Sequence, residues 1–164
     1  MQQFKFSQKA FIVNDGKLLL VKKSGNDPYH PNEWEVPGGR MKFGEKPEEH
    51  IKREVKEEVG LDIEIGSPFA IWSWILEKED MDADNTLTQI VAVGSYCRPL
   101  NLHISPNGRV TGDYLSDIKW VPVDKVLTYN LIPDIIPAMK TFVAYFKNSQ
   151  WETFSSHSMP DITF

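Results

Sequence analysis

The chain has 164 residues, is 41% hydrophobic and 25% charged, and carries a net charge of −5. That is enough for one domain with a real core, and the acidic balance argues against a protein that coats nucleic acid, which would show a basic stripe. A single cysteine, Cys97, excludes an intrachain disulfide; with no apolar leader and no stretch of membrane-spanning length, the expectation is a cytoplasmic protein with no membrane or nucleic-acid partner.

The predicted elements begin with a hairpin over residues 9–21. Ala10-Phe11-Ile12-Val13 and Leu18-Leu19-Leu20-Val21 flank the turn signal Asn14-Asp15-Gly16. Both runs are apolar on both faces, as in strands covered on both sides. Residues 24–32 are rich in Gly, Pro, Asn and Asp and form a loop. His30 within it reads as a solvated residue rather than a phosphate contact. Glu33-Trp34-Glu35-Val36 alternates charged and apolar residues and predicts a short strand running into the turn Pro37-Gly38-Gly39, where glycine permits close backbone approach to a ligand.

A helix is predicted from Pro47, favoured at the first helical position, to a C-cap at Gly60. At about 100° per residue Ile51, Val55 and Val59 form the buried stripe. Glu54, Glu57 and Glu58 lie together along one flank and Lys52 and Lys56 along the other. Arg53 borders the carboxylates, with Glu49 or Glu57 as its partner. A Glu-rich helix taken alone is an ordinary solvated face. Three carboxylates beside a buried edge also make a seat for a hard divalent cation, since magnesium takes one or two carboxylates plus phosphate oxygens.

Beyond the helix, residues 62–65 predict a short strand that Gly66-Ser67-Pro68 breaks, and residues 69–76 a second strand in the central sheet. Trp72 and Trp74 share one face of it; Ile71, Ser73 and Ile75 share the other. Two tryptophans on one face read first as core; the alternative is stacking on a nucleobase. Residues 77–85 form an acidic loop. Asp80, Asp82 and Asp84 imitate the start of a calcium-binding loop, but Asn85 stands at the glycine position and Val91 at the bidentate glutamate. Residues 88–97 predict a long apolar strand antiparallel to the previous one, with Cys97 in the core. Pro106-Asn107-Gly108 is a turn, and a strand over 114–121 reaches Trp120-Val121-Pro122-Val123-Asp124. Ile136, Met139, Phe142, Val143 and Phe146 fall at helical spacing and predict a C-terminal helix with Pro137 in its first turn. The domain is expected over residues 1–147, with 148–164 as a tail. Together these elements predict an α/β fold, an α/β/α sandwich with a mixed β-sheet.

The spacing inside the helix region narrows the function. Gly39, five residues, Glu45, seven residues, Arg53-Glu54-Val55, one residue, Glu57-Glu58, one residue and Gly60-Leu61 form a fixed frame. This frame is similar to the Nudix box of the Nudix hydrolase family at every defined position. The resemblance implies the Nudix-type α/β/α sandwich and Mg²⁺-dependent hydrolysis of a nucleoside diphosphate linked to a group X, with Mn²⁺ as a substitute cofactor. It implies the Gly38 carbonyl, Glu54, Glu57 and Glu58 as metal ligands. Glu54 is also the leading general base; Arg53 orients a carboxylate, and Glu45 supports the site from behind. Family members carry an acidic residue just before the tryptophan of the last strand. Here that position is Lys119, so Asp117 is taken as the further metal ligand, with Asp113 behind it.

Substrate markers of the family are absent. A proline about fifteen residues beyond the box marks ADP-ribose, and a tyrosine about seventeen beyond it marks dinucleoside polyphosphates. Those positions hold Leu76 and Lys78. The coenzyme A pattern upstream of the box is not matched either. By elimination the expected substrate is a nucleoside triphosphate, cleaved to a monophosphate, with Trp72 and Trp74 as substrate-binding residues. The alternatives are a hydrolase of nucleotide sugars or other nucleotide derivatives and a non-catalytic ligand-sensing Nudix domain. An isoprenoid diphosphate isomerase would use a cysteine upstream of the box, whereas Cys97 lies downstream. The expected partner is a small-molecule nucleotide derivative, and the chain itself a monomer or homodimer.

Overall fold

A computed structural model describes residues 2–76, 87–105 and 115–148. The acidic loop over 77–85, the turn at 106–108, Asp113 and the tail from 149 onward lie outside the described residues. In chain order the elements are β1 (Gln2–Asn14), β2 (Lys17–Lys23), β3 (Trp34–Glu35), β4 (Gly38–Arg40), α1 (Pro47–Val59), β5 (Ile63–Ile75), β6 (Leu87–Pro99), β7 (Leu115–Pro122) and α2 (Ile136–Asn148).

β1 and β2 form the predicted hairpin, with Val13 opposite Leu18 and Asn14 opposite Lys17. Asp15 and Gly16 both have positive φ, 47° and 70°, as a two-residue type I′ turn requires. β1 starts well before the hairpin because its first part has a different neighbour: Gln2 to Ile12 run parallel to Leu87 to Cys97 of β6. The sheet order is β3-β2-β1-β6-β5, with β4 added on β1 and β7 on β2. One parallel pair among antiparallel ones makes the sheet mixed.

Both faces are covered, which is why β1 and β2 read as continuous apolar runs. Phe11, Leu18, Leu20 and Tyr96 pack with Met139, Phe142 and Val143 of α2 on one side. Ala10, Ile12, Leu19 and Val21 pack with Ile51, Val55 and Val59 of α1 on the other. The result is the α/β/α sandwich that the sequence predicts. Among the described residues no helix is long and apolar enough to cross a membrane.

One expectation is corrected. Gly66-Ser67-Pro68 does not divide two strands. β5 is continuous from Ile63 to Ile75, and its register against β6 shifts between Ile65 and Pro68 and again before Ala70. The partner β6 carries the pairing across the irregularity, and a strand edge tolerates a proline that cannot donate. β5 lies in the sheet as expected, and takes its edge beside β6. Trp72 is half-buried against the α2-side core, with Trp74 half-buried on the same face.

The feature that positions the site is the β3–β4 segment. Trp34 and Glu35 pair with Lys22 and Val21 of β2. Three residues beyond Glu35, Gly38 pairs with Lys9 of β1. The segment thus crosses from one strand to its neighbour at the point where β1 leaves the hairpin. The crossing delivers Glu35 and Gly38 to the edge of α1.

Candidate active site

α1 is bounded as its sequence dictates, by Pro47 at the start and Gly60, at φ 76°, as the C-cap. Its buried stripe places Glu54 and Glu58 next to the Gly38-Gly39 turn. Gly38 has φ 140°, and a Cβ there would lie 2.1 Å from the Gln8 carbonyl oxygen, so only glycine fits. A Cβ on Gly39 would lie 2.6 Å from Glu54 Oε2. The missing side chains therefore let two carboxylates close on the turn.

On the solvent side Arg53 gathers three carboxylates. Its Nε and second terminal nitrogen donate to Glu45 at 2.6 and 3.0 Å, a bidentate pair. Its other terminal nitrogen lies 2.7 Å from Glu54 Oε1 and 2.9 Å from Glu57 Oε2. The Arg53 hydrogen bond and the Lys42 backbone N–H hold the Glu45 carboxyl at about 2. Burial pushes the Glu54 carboxyl up, but the His50 ring and Arg53 outweigh it and leave it lowered. One guanidinium faces three carboxylates, so negative charge is left in surplus.

On the buried side Glu58, 7% exposed, accepts the Gly38 backbone N–H at 2.9 Å. Burial and the nearby charge of Glu35 push its carboxyl up to about 8, against the pull of Lys9, the Gly38 N–H and Lys23. Glu35 is buried too, but it is paired, with Lys9 and with Lys23 at 3.1 Å. Burial raises its carboxyl, and the two lysines more than reverse this, to about 2. Two buried glutamates thus sit in opposite electrostatic settings a few residues from one turn.

These donors fit a hard divalent cation of the open kind. Among the described residues no three His, Cys, Asp or Glu side chains converge into a closed metal cage. Magnesium does not require one, because it completes its shell with waters and phosphate oxygens. Surplus carboxylate charge, a glycine turn without side chains and a buried Glu58 short of a cation are the features such a site needs.

The structure brings Gly38, Glu45, Arg53, Glu54, Glu57 and Glu58 together around the start of β4 and the middle of α1. It separates Glu57 from Glu58: the first is a third exposed and held by Arg53, and the second points inward. Arg53 takes Glu57 but not Glu49, which lies 3.9 Å from Lys46 instead. Asp117 is on β7 opposite Lys22 and in an ion pair with Lys119 at 3.1 Å. His30 is not simply solvated, since its Nδ1 lies 2.9 Å from Glu33. Lys9, Lys23, Glu35, Gln8 and His50 were not legible as site residues. Glu35 looked like the outward member of an alternating strand. The one available signal was that two lysines flank the adjacent hairpin strands, Lys9 before Ala10 and Lys23 after Lys22.

The model of the NUDIX domain matches residues 6–146. The nucleoside triphosphatase NudI of Enterobacter sp. (strain 638) is 30% identical over 122 residues, 73% of this chain and 83% of its own length. The MutT protein structure from Methanosarcina mazei Go1 has a TM-score of 0.64 at 19% identity, covering 91% of this chain and 97% of that one. An ADP-ribose pyrophosphatase structure from Streptococcus suis 89-1591 has a TM-score of 0.62 at 22% identity, covering 89% and 93%. The two structural likenesses speak for the fold alone. With the family model spanning most of its length, and the glycine turn, Arg53 and the glutamates assembled as described, the chain belongs to the NUDIX family of hydrolases.

Proposed function

We propose that the chain is a Mg²⁺-dependent nucleoside triphosphate pyrophosphohydrolase that releases a nucleoside monophosphate. The observation that carries the reading is the single Arg53 guanidinium set among Glu45, Glu54 and Glu57 beside the buried Glu58. The choice of a triphosphate is supported by the similarity to a NudI nucleoside triphosphatase.

Glu54, Glu57, Glu58 and the Gly38 carbonyl would hold the cation, with Asp117 as a further candidate ligand. Bound Mg²⁺ neutralises phosphate charge and acidifies the attacking water. Glu54 accepts the proton as water attacks phosphorus and the anhydride P–O bond breaks, with pyrophosphate leaving. Arg53 fixes the Glu54 and Glu57 carboxylates through its planar fork, and Glu45 anchors Arg53 in turn. Trp72 packs into the α2-side core, which leaves Trp74 as the ring to stack on the base.

The test is a panel of nucleoside triphosphates, ADP-ribose and nucleotide sugars incubated with Mg²⁺. Preferred turnover of a triphosphate supports the reading. Turnover of a nucleotide sugar or ADP-ribose alone would retain the chemistry and replace the substrate.

A further inference from the structure

β5 ends the sheet. It pairs with β6 on one side, and among the described residues no strand pairs with it on the other. Across the β5–β6 ladder the Leu76 N–H donates to the Thr88 carbonyl at 2.9 Å. Hydrogen-bonded pairs alternate along antiparallel strands. Trp72 and Trp74, in step with Leu76, therefore turn their main-chain groups toward β6. Ile71, Ser73 and Ile75 turn theirs outward, to the free edge.

Natural edge strands are blunted by charge, proline or a bulge. The first part of β5 has all three, in Glu64, Pro68 and the register shifts on either side of Pro68. From Ala70 to Ile75 it has none of them, and the Ile71 and Ile75 side chains are 73% and 57% exposed. An apolar, unguarded edge of this kind is a template for another strand.

We propose that this edge pairs with the same edge of a second copy of the chain, antiparallel about a two-fold axis through Ser73. The sequence there is a palindrome, Ile71-Trp72-Ser73-Trp74-Ile75. A two-fold contact sets one surface against itself. With Ser73 on the axis, Ile71 faces Ile75 of the other copy and Trp72 faces Trp74, so like stands opposite like at every position. Aromatic and β-branched pairs across strands stabilise a sheet. The main chain falls into register as well. Ser73 exchanges N–H and C=O bonds with its own counterpart, and Ile71 does so with Ile75. An axis one residue away would set Ile71 or Ile75 against Ser73 and lose the like pairing.

The antiparallel arrangement also keeps like charges apart. The stretch that follows Leu76 in sequence contains Glu77, Glu79, Asp80, Asp82 and Asp84, and it begins at opposite ends of the two paired strands. The Trp74 ring gains the other copy's Trp72 as its lateral neighbour. One short edge buries less than the about 1,200 Å² of a standard interface, which places the dimer among weak, reversible complexes of micromolar affinity.

Sedimentation equilibrium of the full chain from low to high micromolar concentration tests the pairing. The mass should rise from 18.8 kDa toward twice that value. A proline is tolerated where the N–H faces out from an edge, and it removes the bonds at the axis. Ser73→Pro should thus raise the dissociation constant at least about ten-fold. Ile71→Lys, which charges the edge, should do the same. Phe4→Lys, on an exposed residue of β1 away from the edge, should leave it unchanged. Amide hydrogen exchange of the unsubstituted protein covers the case of a variant that does not fold. The Ile71, Ser73 and Ile75 amides should exchange fast in dilute protein and gain protection as the dimer forms, while those of Trp72 and Trp74 are protected throughout. A mass fixed at 18.8 kDa, or a dimer that survives both edge substitutions, would overturn the proposal. So would a dimer broken by Phe4→Lys alone. Protection of the three outward amides in the dilute monomer would show that a segment of the same chain covers the edge, and would overturn it too.

Discussion

Glu35 and Glu58 show how far two chemically identical residues diverge when their neighbours differ. Both are buried against the β3–β4 crossing, yet one carboxyl is held at about 2 and the other is pushed up to about 8. The lysines account for the difference, since Lys9 and Lys23 contact Glu35 directly. A carboxyl lowered from 4.5 to about 2 binds fewer protons in the folded chain than in the unfolded one. Its contribution, about 3 kcal/mol as an upper figure, is therefore complete above the unfolded value and lost as the pH falls toward 2. The stability gap between wild type and Glu35→Gln should be widest above pH 5 and close steadily below 4.5. Denaturant unfolding across that range checks it, and a gap independent of pH would mean that the lysine pairing does not lower the carboxyl. Arg53→Lys should also slow turnover about ten-fold or more, because a lysine cannot reproduce the bidentate hold on Glu45.

At the scale of elements, α1 and its approach were almost fully legible in the sequence. Pro47, the Ile51-Val55-Val59 stripe and Gly60 are local signals, and each lies where the pattern puts it. Val55 is completely buried while Lys56 is exposed. Val55→Ala should thus cost about 1–3 kcal/mol against a few tenths for Lys56→Ala; equal denaturant midpoints would contradict the packing of the helix. Gly60→Ala should cost more than about 1 kcal/mol, because it strains a left-handed residue and sets a Cβ 2.6 Å from Ser105 Cβ. β5 was less legible for a physical reason. Gly66-Ser67-Pro68 is a genuine local break signal, but strand continuity is decided by the partner, and β6 is unbroken. The Lys9-Glu35-Lys23 cluster failed for the same reason. Its members come from three strands, and no local pattern states the register that joins them.

For the whole molecule, two helices cover opposite faces of a mixed sheet, and the site forms where one strand segment changes neighbours. The fold class could be read from element order alone, whereas the edge position of β5 could not, because it depends on the parallel pairing of β1 with β6. Trp72 packs against the α2-side core, and the proposed function assigns base stacking to Trp74 alone. Trp72→Leu should reduce stability, whereas Trp74→Leu should raise KM about ten-fold with kcat largely kept, the worth of one stacked base. An unchanged KM in a folded Trp74→Leu protein would remove that ring from the substrate site. Phosphorus NMR of the reaction products reads the work of the carboxylates and the turn on the phosphates together. Wild-type protein with Mg²⁺ and a nucleoside triphosphate should release pyrophosphate and monophosphate, and Glu58→Gln should lose most of that turnover at limiting Mg²⁺. A Glu58→Gln protein that releases pyrophosphate at the wild-type rate, or a wild type equally active with Mg²⁺ chelated, would contradict the account.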